Sequence, residues 1–282
     1  MKFAIYTPNF GYSNNPLDLA KLAKEAEKAG WDGFFLWDHL VFMEGLNVPV
    51  LDPWITLSAM AMKTEKIKIG PLITPISRRR PWKLAREIVS LDHLSNGRLI
   101  LGVGLGAPEY DFVTFGEDFD NKIRAKKLDE GLDILLGLLS GNDFSFKGDY
   151  YKIKNVKFLP APINGKIPIW VAGMWPNKKP FLRASKFDGV FPIHADWPEN
   201  LTLEDVKQII NLVYKNRKDS KRYDIIIAGE TPGNSSEGIN VVKPYKEVGV
   251  TWWCENINLF RFKNSAEKML ERIRQGPPKE SD

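Results

Sequence analysis

Along this chain the apolar positions switch between two periods, the short apolar runs of strands and the three-to-four spacing of helices. The clearest case is Ile69 to Gly106, IGPLITPISRRRPWKLAREIVSLDHLSNGRLILGVGLG. Lys66 to Thr74 is rich in β-branched residues and bounded by proline, which predicts a strand. Pro81 opens a helix at the turn that tolerates a missing N–H. Leu84, Ile88 and Leu91 follow at helical spacing, with Ala85 and Val89 beside them. Asn96-Gly97 supplies a left-handed stop. Arg98 to Val103 predicts the next strand, and Gly102, Gly104 and Gly106 open the loop after it. Strand, helix and strand in this order make a parallel βαβ unit with a right-handed crossover.

The unit recurs. Lys2 to Thr7 predicts a strand, and Pro16 to Ala29 a helix capped by Asn15, with Leu19, Leu22, Ala23 and Ala26 on its buried face. Gly33 to Trp37 is the second strand, followed by a helix from Pro53 to Met62. A helix from about Lys122 to Leu139 follows the fourth strand. Residues 141–168 break the rhythm and predict a short hairpin and a proline-rich connector. Strands then follow at Ile169–Ala172, Gly189–Ile193, Asp224–Ala228 and Thr251–Glu255. Their helices are Lys178–Lys186, Leu203–Asn216, a weakly amphipathic Glu237–Glu247, and Ser265–Arg274. Eight βα units in 282 residues predict an α/β fold, a TIM (β/α)8 barrel with an insertion after the fourth unit. The expected organisation is a single domain over 1–282 with a frayed tail from about residue 275. A doubly wound sheet is the alternative, but TPNFGYSNNP after the first strand is not a phosphate-binding glycine turn.

Composition narrows the class. No apolar run is long enough to cross a bilayer, and KFAIYT enters a strand without a signal-peptide core. Cys254 is the only cysteine, which excludes an intrachain disulfide and a cysteine-based zinc site. A cytoplasmic location is expected, which makes the sequons at Asn200 and Asn234 coincidental. The net charge of +5 comes from interspersed residues, so neither a nucleic-acid partner nor a membrane partner is expected. Only Arg78-Arg79-Arg80 is dense. It reads as a solvated loop or as an anion contact at a pocket mouth.

In a TIM barrel the chemistry lies at the C-terminal strand ends. His39, beside Asp38, is the best single candidate there, able to donate or accept a proton near neutral pH. His93 lies within a helix and reads as structural; His194 is intermediate. The histidines show no HxH or HExxH spacing. The carboxylates Asp38, Glu109, Glu230 and Glu255 leave magnesium as a minor alternative. No GxSxG elbow is present. The GVGLG loop reads equally as room for a ligand or as a tight rim turn. Phe10, Trp37, Phe42, Trp54, Trp175, Trp197, Trp252 and Trp253 suit a flat, apolar pocket for a ring system.

These residues carry a resemblance. GWDGFFLWDHL, the Ile67–Gly106 run with its LDxLSxGR and GxGxG, IPIWVAGMW…LRASKFDGVFP and GVTWWCENI occur in order over most of the chain. The chain resembles the bacterial-luciferase-like flavin- and F420-dependent oxidoreductases. The resemblance implies a barrel that binds reduced FMN or F420 at its strand ends, with His39 as the active-site histidine and Asp38 beside it. A non-standard peptide backing the isoalloxazine ring would fall at Thr74, Pro75 and Ile76, the Thr74-Pro75 bond being the cheap one to make cis. Leu105 and Gly106 would lie near the ring, with Glu109 as an acid in the F420 branch. Gly173, Met174, Ile193 and His194 would approach the ribityl chain and phosphate. Two departures stand out: a bulky AGMWPNKKP where the family has a small phosphate loop, and RRRP where it commonly has RHP.

The expected function is a luciferase-like monooxygenase that transfers one oxygen atom to a small organic substrate with reduced FMN and O2. F420-dependent hydride transfer is the alternative, and a non-catalytic flavin-binding protein a further one. Outside the resemblance, a phosphate-ligand isomerase or aldolase would need a lysine or a carboxylate pair inside the barrel end, and no strand supplies a well-placed lysine. A homodimer through the second strand and helix is expected from the resemblance alone.

Overall fold

A computed structural model describes residues 1–196, 198–263 and 265–279. Its strands are β1 (Lys2–Thr7), β2 (Gly33–Leu36), β3 (Lys68–Pro71), β4 (Thr74–Pro75), β5 (Leu101–Gly104), β6 (Asp143–Lys147), β7 (Lys152–Lys157), β8 (Ile169–Trp175), β9 (Gly189–His194), β10 (Asp224–Gly229) and β11 (Trp252–Asn256). Between them run α1 (Pro16–Lys28), α2 (Pro53–Lys63), α3 (Pro81–Leu94), α4 (Tyr110–Val113), α5 (Asn121–Leu139), α6 (Lys178–Ala184), α7 (Leu203–Asn216), α8 (Ser236–Glu247) and α9 (Ala266–Arg274). The helices begin where side chains satisfy their free N–H groups. Asn15 caps α1, Asp52 α2 and Asp120 α5, while Thr202 and Asp205 form a reciprocal capping box on α7.

Nine strands lie in the order β3-β2-β1-β11-β10-β9-β8-β5-β4, every adjacent pair parallel. The sheet returns on itself where Ile69 of β3 bridges Leu99, just before β5. This is the expected eightfold barrel, with the third strand in two pieces. The break between β3 and β4 contains a cis peptide at Leu72–Ile73. The cis bond expected at Thr74–Pro75 is therefore displaced two residues and does not involve proline.

Residues 143–157 form the expected hairpin, β6 antiparallel to β7, outside the barrel sheet. Neither α4 nor the 3-10 turn Ile76–Arg78 is predicted from the sequence. The expected fraying does not begin at residue 275: Gly276, Pro277 and Pro278 are buried, and Arg272 Nη1 donates to the Gly276 carbonyl at 2.8 Å. Residues 280–282 of that tail, and Trp197, lie outside the described residues. No helix among the described residues is long and apolar enough to cross a membrane.

Strand alternation sorts the core into two layers. Ala4, Phe35, Leu72, Ile100, Trp170, Phe191, Ile226, Trp252 and Cys254 fill the barrel interior. Ile5, Phe34, Leu36, Ile69, Leu101, Val103, Val171, Val190, Ile225 and Ile227 face the helices. One step further along the strands, the inward residues are Tyr6, Ile73, Ala172, Ile193 and Ala228, all only partly buried. Side-chain volume falls along β8 from Trp170 to Ala172 and along β10 from Ile226 to Ala228. The interior is thus plugged at mid-height and left with a shallow floor at the C-terminal end.

Candidate active site at the barrel mouth

His39 reaches this floor by the register of β2. Phe35 points inward, Trp37 continues the ladder through its N–H to the Thr7 carbonyl at 2.9 Å, and His39 follows at the next inward position. The His39 side chain is 13% exposed. Rings crowd it edge-on: Phe42 at 4.8 Å, Trp37 at 5.7 Å and Phe10 at 5.9 Å between centroids. Tyr6 stands 5.4 Å from Trp37 on the same floor. Burial, with a smaller contribution from Cys254, pushes the Tyr6 phenol far up, so it stays a neutral hydroxyl.

The loop carrying His39 is held at several points. Asn9 accepts the His39 N–H at 3.2 Å and donates to the His39 carbonyl at 2.9 Å and the Leu51 carbonyl at 2.7 Å. Asp111, in α4, lies 2.9 Å from His39 Nδ1 and accepts the N–H groups of Leu40, Val41 and Phe42. Arg78 donates to Asp111 at 2.7 Å and to Asp38 at 3.2 Å, and Arg79 donates to Asp38 at 2.7 Å. Burial disfavours the ionised Asp111 most strongly. The hydrogen bonds from His39 and Val41, with the charge of Arg78, outweigh it and hold the carboxyl below the usual range.

Several expected site residues lie elsewhere. Asp38 has the opposite register to His39. Its carboxylate is fully buried against Arg78, Arg79 and the Thr74 hydroxyl, on the side of the strand–helix layer. The arginine triplet divides: Arg80 is exposed, whereas Arg78, 5% exposed, and Arg79, 18% exposed, are both committed to carboxylates. Thr74, Pro75 and Ile76 are buried, and Ile76 packs in the outer layer near Gly131 of α5. The residue of this loop on the floor is Ile73.

The glycines of β5 have a packing role. A Cβ on Gly102 would meet Leu72 Cδ1 at 2.7 Å, and one on Gly104 would meet Ile73 Cδ1 at 2.8 Å. Gly106 has φ +85°, and a Cβ there would meet Phe112 at 2.6 Å and Pro75 at 2.7 Å. The Leu105 and Gly106 carbonyls accept Arg124 Nη1 at 3.1 and 2.8 Å. These glycines make room for neighbouring side chains.

Glu109 is exposed at the start of α4, apart from the His39 pair. A Cβ on Gly173 would strike Pro180 of α6 at 2.5 Å, so that glycine serves strand–helix contact. Met174 takes the inward register above Ala172 and is 39% exposed, while Ile193 is part of the floor. His194 has the outward register, and its Nδ1 accepts the Asp196 N–H at 3.2 Å. Trp175 donates its indole N–H to Asp205 at 2.9 Å, tying the β8 loop outward. His93 is structural, with Nε2 2.8 Å from the Ala161 carbonyl. Glu255 is buried against Thr231, Arg261 and Arg272. No metal-holding group of carboxylates, histidines or cysteines occurs among the described residues, so the magnesium alternative lacks a ligand set there. Sequence reasoning misses Asp111, and it misses the carboxylate partners of Arg78 and Arg79. These residues and their partners come from three different βα units.

The floor of Ile73, Ala172, Ile193 and Ala228, with Tyr6 and His39 at its edge, fits an apolar planar ring. Beside it, Trp37 Nε1 is buried without a hydrogen-bond partner. A family model described as luciferase-like monooxygenase matches residues 1–231. Among curated proteins, the chain is 32% identical over 165 residues to an F420-dependent glucose-6-phosphate dehydrogenase of Amycolatopsis mediterranei, covering 57% of this chain and 49% of that one. It is 31% identical over 213 residues to a 5,10-methylenetetrahydromethanopterin reductase of Methanolobus tindarius, covering 76% and 60%. The chain therefore spans about half to three-fifths of the length of these two relatives. An F420-dependent secondary alcohol dehydrogenase, solved with an F420-acetone adduct, superposes with a TM-score of 0.78 at 18% identity, covering 97% of both chains. A monooxygenase of Streptomyces bottropensis superposes at 0.74 and 18%, covering 98% and 97%. With a family match over residues 1–231 and these barrels as its likeness in fold, the chain belongs to the luciferase-like monooxygenase family.

Proposed function

We propose that the chain is an oxidoreductase that takes F420 over the barrel floor and exchanges a hydride with a small organic substrate, His39 moving the accompanying proton. The observation that carries this reading is the His39–Asp111 pair: one ring nitrogen is committed to a buried carboxylate, and the other makes no hydrogen bond among the described residues. A deazaflavin, when bound, supplies a two-electron hydride acceptor or donor. The protein supplies the proton partner, the apolar floor and the aromatic wall of Phe10, Trp37 and Phe42 that excludes water. The F420 dependence named for the dehydrogenase relative supports this reading. A second reading keeps FMN and oxygen transfer. It is favoured by the same aromatic enclosure, since oxygen chemistry on a reduced flavin requires water to be kept out.

Titrating F420 and FMN side by side, followed by fluorescence, separates the two. The proposal expects F420 to bind at least about tenfold tighter, a difference of about 1.4 kcal/mol. Preference for FMN supports the second reading, and binding of neither removes the cofactor assignment. His39→Gln should lower turnover by about 10²–10⁴-fold with cofactor affinity nearly unchanged.

A further inference from the structure

We infer that Asp111 is a positioning residue that fixes the neutral His39 ring in the tautomer with its proton on Nδ1, leaving Nε2 bare as a proton acceptor at the barrel mouth. The inference rests on the proton-transfer role proposed above for His39.

The two oxygens of Asp111 are used differently. Oδ1 accepts the N–H groups of Leu40, Val41 and Phe42 at 2.9, 2.8 and 3.1 Å, the three residues that follow His39. Phe42 among them has φ +67°, a conformation that is unfavourable for a bulky L residue and here stabilised by that bond. Oδ2 accepts Arg78 Nη1 at 2.7 Å and lies 2.9 Å from His39 Nδ1. A carboxylate paired with a guanidinium is ionised and only accepts. The hydrogen of the His39 contact therefore sits on Nδ1. A neutral imidazole carries one proton, so Nε2 keeps its lone pair.

Arg78 does a second job. Its Nη2 donates to the Asp38 carbonyl at 2.9 Å and to Asp38 Oδ1 at 3.2 Å, and Arg79 binds the same carboxylate. Two carboxylates and two guanidiniums thus balance at this rim, which lets Asp111 stay charged although its side chain is only 1% exposed. Asn9 holds the His39 backbone at both its N–H and its carbonyl, so the ring is set from both sides.

The chain has three histidines, which makes the ring nitrogens separable by NMR in protein labelled with ¹⁵N-histidine. The His39 signals are those lost in His39→Gln. The expected signature of the neutral ring is Nδ1–H with bare Nε2. Asp111→Asn, whose amide can donate to Nδ1, should move the proton to Nε2 and lower kcat by at least about 100-fold, with KM changed by less than about threefold. Nε2–H, or a mixture of both forms, in the unsubstituted protein overturns the inference. Should Asp111→Asn fail to fold, the unsubstituted protein still decides. An unchanged kcat in His39→Gln overturns the proton-transfer reading itself, and is distinguishable because the ring signature is read without turnover.

Discussion

At the scale of single residues, His39 and Asp38 are neighbours with opposite fates. Period-two alternation from Phe35 through Trp37 makes His39 inward and Asp38 outward, whereas the strand end that carries both is what is legible in FFLWDHL. The partners of Asp38 are not, because Arg78, Arg79 and Thr74 come from the next unit and no local period relates them. Asp38→Ala should lower the free energy of unfolding by about 3 kcal/mol, since it takes from Arg79 its hydrogen-bonded carboxylate and from Arg78 one of two. Cofactor affinity, measured on the same variant by titration, should stay within about threefold, or about 0.6 kcal/mol. A larger loss of affinity would return Asp38 to the cofactor site. Asp111 escaped notice for the same reason: it precedes Phe112 in a four-residue helix without a periodic signal, 72 positions from His39.

At the scale of elements, helices and strands follow the apolar period and the cap residues closely, whereas their edges follow neighbours. The third strand reads as one run from Lys66 to Thr74, yet β3 pairs with β2 and β4 with β5. The glycines of β5 read as room for a ligand, but Leu72 and Ile73 occupy the space, a fact set by the strand beside them. Docking of α1 is similarly long-range. The Glu27 carboxylate at its end accepts the N–H groups of Glu65, Lys66 and Ile67 at 2.8, 2.7 and 3.0 Å, tying α1 to the entry of β3. Burial opposes its ionisation, but those bonds and Lys24 bring its pKa down to about 2 from 4.5. A folded value below the unfolded one stabilises above about pH 4.5 and is lost as pH falls toward 2. The shift corresponds to about 3 kcal/mol. The stability difference between the unsubstituted protein and Glu27→Gln, from urea unfolding, should therefore shrink steadily over that window. A difference independent of pH would show that the carboxylate charge is not what ties the helix.

At the scale of the whole molecule, the barrel seam depends on one buried cation. Arg98 donates to the carbonyls of Ala61, Thr64, Ile67 and Ser95 and to Thr64 Oγ1, all between 2.7 and 3.1 Å. These groups belong to the end of α2, the entry of β3 and the end of α3, next to the Ile69–Leu99 bridge that closes the sheet. Arg98→Ala should cost at least about 3 kcal/mol by leaving several carbonyls unpaired. Arg98→Lys should recover only part, because an ammonium cannot span the same fork. The check is the urea midpoint at constant slope; a midpoint near that of the unsubstituted protein in Arg98→Ala would mean the seam is held otherwise.

Apolar period, caps and turn chemistry act over a few residues. The run of βα units, their parallel sense, the hairpin and the place of His39 at a strand end could therefore be read along the chain before any coordinates. Pairings between units depend on barrel closure and stagger, which bring together residues tens of positions apart without a local trace. That closure selects Asp111 as the partner of His39, sets Arg78 and Arg79 against buried carboxylates, gives Ile73 rather than Thr74 to Ile76 the floor, and packs neighbouring side chains against the βαβ glycines.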